Sequence, residues 1–301
     1  MLTESILSRL RGLKLSTARR RRGATAGERR STRRGRSVEF ADYRAYTPGD
    51  DPRRIDWNVF ARHERAVVKL FEEEEDLAVH ILIDQSASMF PQPFPQPFPQ
   101  PGDFTPSKFT CSVQLTLLLG YAALAAGDAL TVQLSTGRSF GPRRGLAAFA
   151  ELTRFLEAAH TSTPNAHLAL AGWLKSCTQG ARPGLCFLLS DLFDEQHGWL
   201  PGFNALGAAG FDLRVLHVLS PDELDPQLSG DVRLRDVETG DTQDLSIDES
   251  LLATYRRRLQ EWSDEIATAC RSRSGRYFLI NSGQPAEHIV LHDLRKAGWL
   301  E

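Results

Sequence analysis

Three stretches of this chain, "DLAVHILID", "GLCFLLSD" and "DLRVLHVLS", are apolar at nearly every position rather than at every second one. A strand of that kind has to be covered on both faces. Between and after them lie runs with helical spacing: Lys108 to Gly127, Gly145 to Ala159, His167 to Cys177 and Leu200 to Ala209. A further strand, "ALTVQLS", and a late one, "RYFLI", fit the same alternation. Strands that alternate with helices are joined by crossovers and lie parallel. The expected fold is therefore α/β, a doubly wound and mostly parallel sheet. Its 301 residues, 41% of them hydrophobic, suffice for one large domain of this class.

Other segments decorate that sheet. "VRLRDVETGDTQDLSI" reads as a C-terminal hairpin insertion with its turn at Thr239-Gly240-Asp241. Ser250 to Arg271 reads as a long helix and "AEHIVLHDLRKAGWL" as a closing one. Residues 1–36 open with a short amphipathic helix and continue as a basic arm carrying Arg19 to Arg22, Arg29, Arg30, Arg33, Arg34 and Arg36. Charge runs of that type are solvated and flexible. Residues 37–76 form a separate segment, and 77–301 the main domain. Phe-Pro-Gln recurs from Phe90 to Gln100, inside an insertion spanning 90–106. Proline removes donors and fixes φ, so this tract is expected as an extended polyproline-II loop.

Composition excludes some function classes. Net charge is −2, so the chain as a whole does not seek polyanions. The four cysteines show no C-x-x-C pair, and they read as reduced thiols of a cytoplasmic protein. No secretory signal is visible, and the longest apolar helix, Leu115 to Ala126, falls short of the ~20 residues of a membrane span. No transmembrane segment is expected. No G-x-S-x-G elbow and no phosphate-cradling G-x-x-x-x-G-K-[ST] loop occurs. His288 and His292 share a helix face at i,i+4 spacing, but with no third ligand they read as surface residues.

The polar residues that end the buried strands carry the chemistry. In sheets of this type ligands sit beyond the carboxyl ends of the strands. Asp84-x-Ser86-x-Ser88 places one carboxylate and two hydroxyls there, and Asp191 ends a second buried strand. Oxygen donors alone suit a hard divalent cation, Mg²⁺ or Mn²⁺. Too few charged ligands surround such a cation to neutralise it, which leaves a position for a partner's carboxylate. The plainer alternative is that these residues merely cap the next helix.

"DQSASM" resembles the metal-site signature of von Willebrand factor A domains, a Rossmann-like fold. The longer stretch from Ser37 to Met89 resembles a family catalogued as domain of unknown function 58, with the pattern "EF…R-Y-x-P-G-D-D-x-R-x-I-D-W…A-R" ahead of the site strand. "FLLSDLFD" and "HVLSPDELDPQLSGDVRLRDVETGD" extend the likeness over about Arg36 to Leu300. The resemblance implies a non-catalytic, metal-dependent protein-binding module, an adaptor or co-chaperone for AAA+ ATPases of the MoxR type. It assigns Asp84, Ser86, Ser88 and Asp191 as metal ligands, with a Thr from "TSTPNAH": Thr163, or its rival Thr161. Within the family block Tyr43 to Arg62, Asp50, Asp51, Arg53, Arg54 and Asp56 are expected to pair with one another, with Trp57 supplying buried area; a partner-docking surface is the alternative. Two other functions compete. A haloacid-dehalogenase-type phosphatase would need a second carboxylate where Ser86 stands. Nucleic-acid or anionic-membrane binding would use the arginine arm, although few aromatics interleave it for base stacking, so nucleic acid is not the expected partner.

Overall fold

The computed structural model of the chain describes residues 4–17, 38–73, 77–90, 107–160, 169–193, 197–235 and 242–301. The chain divides into two units, Arg21–Asp76 and the combination of Met1–Arg20 with Leu77–Glu301.

The larger unit starts with helix α1 (Glu4–Leu10). Here the expectation of a flexible arm over 1–36 needs correction. Leu10, Leu13 and Leu15 are buried in the main core, and Leu15 bridges Leu300 while Lys14 and Glu301 exchange backbone hydrogen bonds. The apolar residues of this segment outweigh its scattered charges. The arginines from Arg19 to Arg36 lie outside the described residues.

In the smaller unit, strands β1 (Val38–Ala45) and β2 (Val67–Glu73) pair antiparallel, with a bulge between Phe40 and Asp42. Between them runs helix α2 (Trp57–His63), capped by Asp56, whose carboxylate accepts from the amides of Asn58 and Val59. Among the described side chains, which do not include that of Arg54, the aspartates of this block also make contacts outside the expected set. Asp50 pairs with Arg44 at 2.7 Å and accepts from Thr47, while Asp56 accepts from the Tyr43 hydroxyl at 2.9 Å. The aspartates serve turns and caps, because each lies within a few residues of unsatisfied amides. Trp57, expected inside, is 60% exposed.

The remaining strands of the larger unit are β3 (Ala78–Ile83), β4 (Ala129–Leu134), β5 (Ser139–Arg143), β6 (Leu185–Ser190), β7 (Asp212–Leu219), β8 (Gly230–Arg235), β9 (Thr242–Ile247) and β10 (Arg276–Asn281). Six of them form one sheet in the order β10-β7-β6-β3-β4-β5, parallel throughout except for the antiparallel edge pair β4–β5. Strands β8 and β9 make the expected hairpin; its turn, 236–241, lies outside the described residues. The intervening helices are α3 (Lys108–Ala125), α4 (Phe149–His160), α5 (Leu170–Ser176), α6 (Leu200–Ala208), α7 (Pro221–Leu224), α8 (Glu249–Arg271) and α9 (Ala286–His288), the last continuing as a π-helix over Ile289–Leu294.

The apolar runs now have their cause. Val79, Ile81 and Ile83 of β3 and Leu185, Phe187 and Leu189 of β6 face a core shared with α3, α4 and the C-terminal helix. Leu82, Cys186 and Leu188, the residues in between, face a second core with α5, α6 and α8. Each strand alternates between two apolar layers, so no position is left for water. Gly184 permits the close approach of β6 to β3, since a Cβ there would lie 2.0 Å from the Ala78 carbonyl oxygen. Among the described residues one helix, α3, is long and apolar enough to cross a bilayer, contrary to the sequence expectation of none. It serves instead as the central core helix, 78% buried. The proline-rich stretch from 91 to 106 lies outside the described residues.

Candidate functional site

Strands β3 and β6 are neighbours whose following connections leave in opposite directions, to β4 on one side and to β7 on the other. In sheets of this type the ligand crevice lies outside the strand ends at such a switch point, and Asp84 and Asp191 follow the two strands that flank it. The amide of Asp84 still donates to the Leu189 carbonyl at 3.0 Å, which extends the β3–β6 ladder to the site itself. Asp84 is 3% exposed and Asp191 1%.

The turn after Asp84 is fixed from several sides. One carboxylate oxygen of Asp84 accepts from the Ser86 amide at 2.8 Å and the other from the Ser190 hydroxyl at 2.6 Å. The hydroxyls of Ser86 and Ser88 lie 3.1 Å apart. Gln85, fully buried, donates its backbone amide to the Ser135 hydroxyl oxygen at 2.8 Å and accepts from the Thr136 hydroxyl on its side-chain oxygen at 2.7 Å. The structure thus brings Asp84, Ser86, Ser88 and Asp191 together. Thr161 and Thr163 lie outside the described residues.

The sequence reading missed Lys108. Its ammonium, the first helical residue of α3, lies 2.8 Å from Asp191 Oδ2 and 2.5 Å from Glu223 Oε1. A cation at a helix N-terminus opposes the macrodipole, so a lysine there signals carboxylates from elsewhere in the fold. Glu223 was legible as the last member of "SPDE": Ser220 and Glu223 form a capping box at α7. The tyrosine hydroxyl of Tyr255 on α8 donates to the Glu223 carbonyl at 2.6 Å. Lys108 therefore joins the crevice to the segments after β7. Its ammonium also stands 4.9 Å from the ring centre of Phe193, which stacks on Trp262.

His217, on β7, backs Asp191. Its Nε2 meets the Asp191 carbonyl at 2.9 Å and its Nδ1 the Tyr277 hydroxyl at 2.8 Å. A carbonyl only accepts, so Nε2 carries the proton and Nδ1 accepts from Tyr277. Burial keeps this imidazole neutral, its pKa pulled down to about 4.

The electrostatics are uneven. Burial, and then the charge of Asp191, push Asp84 up to about 7, against the hydrogen bonds from Ser190 and Ser86. Burial alone would depress Lys108, but Asp191 and Glu223 outweigh it and raise its pKa above the ordinary value. Among the described residues Lys108 is the cation paired with Asp191, whereas the hydrogen bonds into Asp84 come from neutral donors. A buried carboxylate so raised is short of positive charge. Its all-oxygen surroundings fit a hard divalent cation at Asp84, Ser86 and Ser88. Asp191 fits less freely, because Lys108 and the Phe193 amide already hold its two oxygens.

A family model described as "Protein of unknown function DUF58" matches residues 42–265. The chain belongs to that family. The block around Tyr43 to Arg62 had pointed to it. Uncharacterized proteins from Mycobacterium tuberculosis (Rv1480) and Mycobacterium bovis (Mb1516) are each 27% identical to this DUF58 chain over 280 residues, covering 87% of it and 80% of the relative. Among solved structures, the conserved hypothetical protein BatB from Bacteroides thetaiotaomicron is 16% identical, covers 74% of this chain and 98% of its own, and has a TM-score of 0.42. An aerotolerance-related membrane protein from Bacteroides fragilis matches at 15% identity and a TM-score of 0.39, covering 73% of this chain and 99% of its own. The expected cytoplasmic location is withdrawn on this finding, since that protein and a membrane-spanning one from Vibrio fischeri (TM-score 0.20) are described as membrane proteins. The likeness is too distant to assign this chain another location.

Proposed function

We propose that this DUF58 protein is a von Willebrand A-like, cation-dependent protein-binding module without catalytic activity of its own. The observation that carries the reading is the convergence of Asp84, Ser86 and Ser88 beside buried Asp191 at one crevice, with Asp84 short of a cationic partner among the described residues. Asp84, Ser86 and Ser88 would hold Mg²⁺ or Mn²⁺ there. A bound cation supplies an open coordination position that a partner's carboxylate fills. The residues around it favour binding over turnover. The Ser190 hydroxyl donates to a carboxylate, and both nitrogens of His217 are engaged by Asp191 and Tyr277. Neither forms the nucleophile–base pair that acyl or phosphoryl transfer asks for.

The partner proposed is an AAA+ ATPase of the MoxR type, or a client protein presenting a carboxylate. The test is retention of that ATPase on immobilised protein in Mg²⁺ and in chelator, with Asp84→Ala alongside. Retention that needs both the cation and Asp84 supports the reading. Retention indifferent to both refutes the crevice as the contact, and Mg²⁺-dependent hydrolysis of generic phosphate esters refutes the non-catalytic assignment.

A further inference from the structure

A second group of metal-ligand side chains lies on the C-terminal helix. His288 Nε2 is 3.6 Å and His292 Nδ1 2.7 Å from the same oxygen, Oδ1 of Asp293. The two imidazoles stack with centroids 4.8 Å apart, and all three ligand atoms lie within 4.8 Å of one another. The third ligand that the sequence reading found missing is therefore present. It was invisible because residues five apart on an α-helix point about 140° away from each other. The π-helical turn over Ile289–Leu294 widens the spiral by one residue and brings Asp293 beside His288 as well as beside its neighbour His292. Such turns interrupt the regular ladder and recur at functional sites.

We propose that His288, His292 and Asp293 form a surface site for a transition-metal dication of the zinc class. Three features carry the assignment. Two imidazoles with a carboxylate are a donor set that selects Zn²⁺, Co²⁺ or Ni²⁺ over Mg²⁺, the opposite chemistry to the all-oxygen crevice. Tetrahedral coordination with metal–ligand bonds near 2.0–2.1 Å puts ligand atoms about 3.4 Å apart, and the two contacts to Asp293 Oδ1 bracket that spacing at 2.7 and 3.6 Å. The helix is held from beneath, since Ile289, Val290 and Leu294 are buried in the main core while both imidazoles stay exposed to arriving metal. Binding asks for rotation of two exposed side chains and a tautomer with a free lone pair on His292 Nδ1. Three protein donors leave a fourth position for water.

The test titrates untagged full-length protein with Co²⁺ and Zn²⁺ in saturating Mg²⁺, read by calorimetry and by the visible absorption of bound Co²⁺. The variants are His292→Ala, Asp293→Asn and, as a control for the other site, Asp84→Ala. The expected result is one equivalent bound with the same affinity in wild type and Asp84→Ala, and affinity lower by about tenfold or more in His292→Ala and Asp293→Asn. Unchanged folding of these exposed-site variants is checked by circular dichroism. If His292→Ala binds like wild type, or if wild type binds no Zn²⁺, the three residues are an ordinary hydrogen-bonded surface cluster and the proposal fails.

Discussion

Replacing Lys108 by Met removes the ammonium and keeps an unbranched side chain of similar reach. The change is therefore electrostatic rather than a cavity. Lys108 and Asp191 have side chains 5% and 1% exposed, and their contact is 2.8 Å; Glu223, the second partner, is 26% exposed. Removing one member of a buried pair leaves an uncompensated charge and costs ~3–5 kcal/mol. The water reaching Glu223 puts this case at the lower end, about 3 kcal/mol. That is a large share of the ~5–15 kcal/mol that a domain possesses. Urea unfolding without divalent cations measures the loss. Adding Mg²⁺ then separates the readings. A ligand at 100 times its dissociation constant stabilises by about 2.7 kcal/mol. With the ammonium gone, a cation at Asp84 meets less repulsion and the two carboxylates need it more. The gain from Mg²⁺ is therefore expected to be larger in Lys108→Met than in wild type. A metal-free variant within about 1 kcal/mol of wild type refutes the compensating role of Lys108. An equal or smaller gain from Mg²⁺ in the variant refutes the idea that Lys108 and a crevice cation share the same charge.

Three further outcomes are expected. Asp84, pushed up to about 7 by burial and then by Asp191, keeps its proton in the fold after the unfolded chain, at the ordinary 3.8, has lost it; its contribution to stability therefore falls as pH rises between those values, and in metal-free protein Asp84→Asn should flatten the urea midpoint across that window, an unchanged slope counting against the argument. His217 acts with the opposite sign: neutral in the fold down to about 4 because of burial, it contributes stability above the ordinary 6.5 that is lost as pH falls toward 4, so His217→Gln should weaken the acid-side decline. Gly184→Ala forces a Cβ to within 2.0 Å of the Ala78 oxygen and must part β6 from β3, with an expected cost of about 3 kcal/mol in urea unfolding; a loss below about 0.5 kcal/mol would show the strands are less tightly set than this.

The legible parts of this fold are those in which one stretch of chain declares its own environment. β3, β6 and β7 announce themselves because both of their faces meet apolar layers. β5 does not: within "SFGPR" only Phe140 is buried, and the strand exists because it closes the sheet edge beside β4. Asp84, Ser86 and Asp191 could be picked out because they interrupt apolar runs. Lys108 could not, since its partners come from 83 and 115 residues further along the chain. His217 was hidden inside an apolar strand, and only the fold reveals that it braces the Asp191 carbonyl. Trp57 was misjudged because large aromatic area argues for burial on average, while α2 presents it outward.

The crevice turn and α3 bracket the proline-rich segment, and their flanking rings, Phe90 and Phe109, stack at 4.6 Å. The ends of the insertion are therefore pinned side by side whatever lies between them. Closure entropy grows only with the logarithm of loop length, so losing one four-residue Phe-Pro-Gln-Pro unit from residues 91–106 changes it by about 0.3 kcal/mol. With these flanking rings stacked, Asp84 on one side and Lys108 on the other are expected to keep their places when a reporter peptide is inserted into the tract.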